Sequence, residues 1–155
     1  MTLKLFEILS ILLAALVTGM FLGPWLALSR SIRTLTPEVF LAVVHRMSAN
    51  MASVMTPLMP VAWVSMVPVL FLSHREKPFL FSLTLIGIAL FAVALLVTLI
   101  VEVPIVKHIE TWTVSTLPDN WRELRDRWGS FHLLRIVASL AGLVLLVVGV
   151  VFDSK

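Results

Sequence analysis

Residues 78–101 read PFLFSLTLIGIALFAVALLVTLIV, and residue 102 is a glutamate. No charge interrupts this run, and it exceeds the roughly 20 residues with which a helix crosses the hydrocarbon of a bilayer. Lipid offers the backbone no hydrogen-bond partner, so a spanning segment of this kind has to be a helix. Working outward, three more runs have the same character: Ile8 to Ser29, Met47 to Ser73 and Ile136 to Phe152. The 155-residue chain as a whole is 59% hydrophobic and 14% charged, whereas a soluble domain is about half apolar and a quarter charged. The sequence therefore predicts an all-α integral membrane protein of one domain (1–155). Its architecture is an antiparallel four-helix transmembrane bundle with helical extensions and a polar loop on one side, and the spans fall near 5–29, 37–72, 78–114 and 130–152.

Punctuation between the runs supports these limits. Thr36-Pro37-Glu38 has the composition of a helix start: a capping residue, a proline whose missing N–H costs nothing in the first turn, and an acid facing the positive helix end. Pro57, Pro60 and Pro68 are expected to kink the second span. Ser115 to Trp128 is polar and reads as a loop entering a short amphipathic helix before the fourth span. The first span carries only Lys4, offset by Glu7, ahead of a long apolar run, which favours a retained helix over a cleaved leader. Gly19-x-x-x-Gly23 on that span permits close helix approach.

Four antiparallel spans place the ends of the first and third, and the starts of the second and fourth, on one side of the membrane. That side receives nearly all the polar chemistry, with Arg30, Arg33, Arg46, Lys107, Arg122, Arg125, Arg127 and Arg135; the other holds Lys4, Arg75, Lys77 and Lys155. The excess of Lys and Arg assigns the 30–46 and 102–135 side to the cytoplasm and both termini to the outside of a multi-pass cell-membrane protein. The net charge of +3 then reflects residues flanking the membrane and implies no nucleic acid. The absence of cysteine excludes disulfides, thiolate metal sites and cysteine nucleophiles.

Candidate functional residues lie on the polar side. Glu102 closes the third apolar run two residues before Pro104, and a carboxylate at the edge of hydrocarbon is expected to face the bundle or a wet cavity; it is either an ion-pair partner of Lys107 or Arg135, a side chain that snorkels to the interface, or a base. His132, Arg135, Ser139 and Gly142 follow the 3, 4, 3 spacing of one helix face. Arg135 either anchors to lipid phosphate or clamps an anionic oxygen, and it is expected within hydrogen-bonding reach of Glu102. His45, Asn50 and His108 join Trp112, Trp121 and Trp128 as candidate substrate-binding residues, although an interfacial aromatic belt is the blander account of the tryptophans. Glu102, His45 and His132 are expected at one membrane depth. Met47, Met51, Met55 and Met59 repeat every four residues and read as helix packing rather than a copper site. No metal signature such as HxxxH occurs, and no nucleotide motif. No cofactor is expected, with haem held by His45 and His132 as the alternative. The expected partners are the lipid bilayer and a lipophilic small molecule, with a second copy or a larger membrane complex as further possibilities.

Three segments carry a resemblance: Glu102-Val-Pro-Ile-Val-Lys-His-Ile-Glu-Thr-Trp112, Leu117-Pro-Asp-Asn-Trp121-Arg, and Leu124-Arg-Asp-Arg-Trp128-Gly-Ser-Phe-His132-Leu-Leu-Arg135. Together with Pro37-Glu38-Val-Phe-Leu-Ala-Val-Val-His45, they resemble the anthrone oxygenase-like family of small four-helix membrane proteins. Where that family often carries asparagine on both sides of the proline, this chain has Glu102 and Val106. The resemblance implies oxidation of an anthrone- or quinone-like aromatic by dioxygen without metal or flavin. Glu102 would then be the base, Arg135 the oxyanion partner, His132 a proton relay, and Trp112, Trp121 and Trp128 the pocket. The alternative class is a non-enzymatic membrane subunit that binds haem or stabilises a larger complex.

Overall fold

The computed structural model describes residues 1–153; Lys155 lies outside the described residues. Helix α1 spans Thr2–Leu28. After a polar turn, Thr36 adopts an extended conformation and Pro37 opens α2, Pro37–Ser65. α2 runs through Pro57 and Pro60 and ends ahead of Pro68, where α3, Val67–Ser73, takes over. Pro68 has no N–H for the carbonyl of Val64, and Met66 instead donates to Trp63 at 3.3 Å in a tighter turn.

The run that decides the fold forms α4, Pro78–Val97, followed by a single wide π turn, Thr98–Glu102, and then α5, Val103–Glu110. The π turn has a chemical cause. Pro104 cannot donate to the carbonyl of Ile100, and Val103 closes the turn by bonding the carbonyl of Thr98 instead. A short 3₁₀ turn, Val114–Thr116, is held by Thr113, whose N–H donates to Thr116 Oγ1 at 2.9 Å. α6 then runs unbroken over Trp121–Phe152. The amphipathic segment and the fourth span, expected as two pieces, are one helix, because the stretch from Trp121 to Phe152 holds no proline, and its three glycines, Gly129, Gly142 and Gly149, are tolerated within a helix.

Among the described residues, four segments are long and apolar enough to cross a membrane: Thr2–Leu28, Pro37–Ser73, Pro78–Glu110 and Trp121–Phe152. The chain is a multi-pass membrane protein built as an all-α bundle. α6 packs against α1 and α4, and α2 with α3 closes the ring between them. Ala14, Val17, Phe21, Met59, Ala62, Phe91, Ala94 and Leu146 form the central core. Gly87 and Gly142 bring α4 and α6 together: a Cβ on Gly142 would meet the Phe91 ring at 2.8 Å and the Gly87 carbonyl oxygen at 3.3 Å. Gly19 and Gly23 do not mediate the close approach expected of them, since a Cβ on either meets nothing within 4 Å. At the far end, Lys77 bonds both the carboxylate and the carbonyl of Asp153 and so ties the α3–α4 turn to the end of α6.

The polar side carries a second, smaller core. Phe40, Leu41 and Val44 of α2 pack there with Ile109, Trp112 and Trp121. This cap fixes α5 and the start of α6 against α2. The segment Pro78–Glu110 is 33 residues long, about 50 Å at 1.5 Å per residue, which exceeds the hydrocarbon thickness. Its α5 end therefore stands in the cap, and Glu102 lies about 12 Å inward of Glu110.

Candidate functional site

The π turn determines where Glu102 points. It ends on Glu102, whose side chain is 3% exposed and faces α6. Arg135, nearly three turns down α6 from Arg125, meets it: Nη2 donates to Glu102 Oε2 at 2.7 Å. Nη1 donates to Thr98 Oγ1 at 3.1 Å, and that hydroxyl donates in turn to the carbonyl of Ala94. The guanidinium carbon stands 4.6 Å over the Phe21 ring. These partners offset part of the cost of taking the ion pair out of water.

His132, one turn before Arg135, completes the cluster. Its Nε2 is 3.0 Å from the carbonyl oxygen of Phe21, and its Nδ1 is 2.6 Å from Arg135 Nη2. A carbonyl can only accept and a guanidinium can only donate, so Nε2 carries the proton and Nδ1 offers its lone pair. Both ring nitrogens are engaged. In this arrangement His132 has no free nitrogen to relay a proton or to ligate an iron. It positions Arg135.

The ion pair opens onto a cavity of about 450 Å³. Met47, Met51, Met55 and Met59 form one wall of it, so the four-residue stripe of α2 faces the ion pair as well as the helix core. Trp128, His132, Glu102 and Arg135 form the inner polar wall, and the exposed Lys107 and Glu110 line the end towards the cap. Three buried atoms of that inner wall make no well-formed hydrogen bond among the described residues, Glu102 Oε1, Trp128 Nε1 and Arg135 Nε, although the Trp128 N–H lies close enough to the Glu102 carboxylate to interact with it. One is an acceptor and two are donors. The cavity also reaches the outside of the bundle, because Ala52 and Thr56 of α2 and Leu99 of the π turn line it and are exposed. That mouth lies on the outer face of segments long and apolar enough to cross a membrane.

The remaining candidates are placed elsewhere. His45 Nε2 lies 3.3 Å from the carbonyl oxygen of Ile109, seven residues beyond Glu102 and so about 10 Å further out; the single depth expected for His45, Glu102 and His132 is two levels. With His132 occupied on both nitrogens and His45 at another level, the two do not fit an axial haem pair. Asn50 is exposed and borders neither the ion pair nor the cavity. His108 is exposed and stacks edge-on against Trp112, their rings 5.2 Å apart. Trp112 and Trp121 are buried in the cap core and are not pocket walls; Trp121 packs on Phe40 at 5.2 Å and under Arg125. Of the three tryptophans, Trp128 alone lines the cavity. Sequence reasoning passed over Thr98 and Phe21. Thr98 had a signal, since it sits one turn before Glu102 on the same face, whereas Phe21, which contributes its ring to Arg135 and its backbone carbonyl to His132, is one apolar residue among many in the first span.

Among the described residues, no group of three or more acidic or histidine side chains is placed to hold a metal ion. No curated protein and no solved structure matches the chain. A family model for anthrone oxygenase does match, over residues 40–145. The match begins at the first buried residue of the cap, takes in the π turn and the cluster around Arg135, and covers more than half of the chain. The chain belongs to the anthrone oxygenase family.

Proposed function

We propose that this protein is a membrane-embedded oxygenase that oxidises a lipophilic, anthrone- or quinone-like aromatic by base-assisted proton abstraction and direct reaction with dioxygen. One observation carries the reading: Glu102 Oε1 and Arg135 Nε make no hydrogen bond among the described residues, and they share a largely apolar cavity with the Trp128 N–H, which lies beside the Glu102 carboxylate without a well-formed hydrogen bond to it. A carboxylate oxygen free to take a proton, beside N–H groups free to hold a developing enolate oxygen, is the arrangement that proton abstraction next to a carbonyl requires.

The chemistry balances with dioxygen as the only co-reactant. Glu102 takes a proton from the ring methylene, and the electron pair of the broken C–H bond delocalises onto the carbonyl oxygen, which Trp128 and Arg135 hold. The carbanion gives one electron to dioxygen, and the resulting radical and superoxide combine to form a C–O bond. The peroxide anion takes back the proton from Glu102. Removal of the second methylene proton then expels hydroxide from the O–O bond, leaving a new carbonyl and, with that proton, one water. Carbon is oxidised by four electrons and dioxygen is reduced by four. No metal or cofactor enters this scheme, and the dry methionine wall keeps water from quenching the carbanion.

The same reading makes the bilayer the source of substrate, with the polar side of the bundle, residues 30–46 and 102–135, in the cytoplasm. The test is oxygen uptake by the purified protein supplied with an anthrone. One dioxygen should disappear per quinone formed, without hydrogen peroxide, and Glu102→Gln should abolish it. Full activity in Glu102→Gln would overturn the assignment of the base.

A further inference from the structure

A second cavity, of about 480 Å³, adjoins the first and shares Pro24, Met47, Trp128 and His132 with it. Its outer walls are of opposite chemistry to the methionine wall: Arg30 and Arg33 from the turn after α1, and Arg125 and Asp126 from the first turns of α6. Arg33 and Arg125 both approach the same oxygen, Asp126 Oδ1, through Nε, at 3.6 and 3.0 Å. Their terminal nitrogens have no acceptor among the described residues, and Arg30 has no acidic partner there either. Three guanidiniums thus face one half-exposed carboxylate. Arg125 is not a solvated surface charge, since its side chain is 6% exposed and lies against the Trp121 ring. A buried, under-compensated cation beside a membrane is costly unless an anion reaches it, and planar guanidinium edges suit a carboxylate in a two-pronged contact.

Resting on the oxygenase reading, we propose that this cavity is an anion subsite for the substrate. The substrate is then an amphiphilic aromatic acid: its ring system lies against the methionines beside Glu102, and its carboxylate sits between Arg30, Arg33 and Arg125. Trp128, common to both cavities, stands at the junction. Such a molecule resides at the membrane surface with its rings in the hydrocarbon and its acid among the headgroups, which matches the order of the two cavities along the bundle.

The experiment measures binding, not turnover, with two probes that lack the reactive methylene: anthracene-2-carboxylate and the neutral 2-methylanthracene, read by quenching of tryptophan fluorescence in the full-length protein. The carboxylate should bind at least tenfold more tightly. Arg30→Gln/Arg33→Gln, which alters only exposed residues, should remove most of that preference and leave the Kd of the neutral probe unchanged; Arg125→Gln should do the same if it folds. Equal affinity for the two probes, or a preference that survives Arg30→Gln/Arg33→Gln, would overturn the subsite. A phosphate group of a lipid has similar chemistry, so the comparison is repeated in nanodiscs of phosphatidylcholine and of phosphatidylglycerol. The preference should persist in both. Its loss in phosphatidylglycerol alone would give the cavity to a lipid headgroup and overturn the assignment to substrate. Glu102→Gln should keep the preference. A missing preference with oxygen uptake intact therefore removes the subsite alone, and a preference without oxygen uptake removes the oxygenase reading alone.

Discussion

Arg135 has four partners, and each makes a different demand on a variant. Glu102 holds it by charge, Thr98 and His132 by hydrogen bonds, and Phe21 by its ring face. Glu102→Gln keeps an acceptor for Nη2, so it should express and fold while losing turnover by at least about a hundredfold, the usual worth of a positioned base. Glu102→Leu strands a buried cation and should cost about 3–5 kcal/mol of stability as well, read as a fall in thermal midpoint that Gln does not share. His132 separates a relay from a positioning residue. Its Nδ1 lone pair is spent on Arg135 and its Nε2 proton on Phe21, so His132→Leu should let the guanidinium drift and lower kcat about ten- to a hundredfold without changing the shape of the pH profile of kcat/KM. Loss of one limb of that profile in His132→Leu would restore the relay.

Between the residues and the bundle stands the π turn, a local irregularity that aims the base. Pro104 causes it by withholding an N–H from Ile100. Pro104→Ala supplies that donor, and the segment can then relax to a continuous α-helix. The gain in helix stability is up to about 3 kcal/mol, yet each residue displaced from a turn rotates its side chain by about 100° about the axis. The variant should therefore unfold at a higher temperature and turn over more slowly, and unchanged turnover in a stabilised Pro104→Ala would show that the turn does not aim Glu102. The same turn presents Leu99 at the outward mouth of the cavity. Leu99→Trp should raise KM about tenfold for a membrane-borne substrate and leave kcat alone, because it blocks entry without touching the ion pair. At the far end of the bundle, the carboxylate of Asp153 accepts from Lys77 and pushes its ammonium above the ordinary lysine range. A group raised in this way stabilises the fold below its unfolded pKa, and that contribution is lost as pH rises through the folded value. Lys77→Met should accordingly lower the thermal midpoint equally at pH 6 and pH 8.

At the scale of the whole molecule, the sequence disclosed the spans, their antiparallel order and the pairing of Glu102 with Arg135, because hydropathy and a shared depth are one-dimensional properties. It did not disclose which tryptophan faces the cavity: Trp112, Trp121 and Trp128 look alike in a sequence, and only the packing of α5 and α6 on Phe40 sends the first two into the cap core. Nor did it separate the glycines. Gly19 and Gly23 have the spacing of a helix contact and meet nothing, whereas Gly142, four residues after Ala138 and outside any Gly-x-x-x-Gly pair, lies where α4 and α6 touch. That seam has a functional consequence. Gly142 is seven residues, two turns, from Arg135 on α6, and Phe91 is about three turns from Glu102 on the segment that begins with α4. The distance between the two helices at the seam therefore sets the distance across which Arg135 must reach Glu102. A methyl at Gly142 would stand 2.8 Å from a ring that is 3% exposed and has the core on its other side, so the ring cannot swing away and the helices must part. Gly142→Ala should cost about 1–3 kcal/mol, the range for overpacking a core, and should lower turnover along with stability. Gly19→Ala, made into open space on α1, should change stability by no more than about 0.5 kcal/mol and leave turnover intact. Thermal unfolding and oxygen uptake on the two variants decide the matter: a neutral Gly142→Ala would mean that the α4–α6 seam does not hold the ion pair at its working distance.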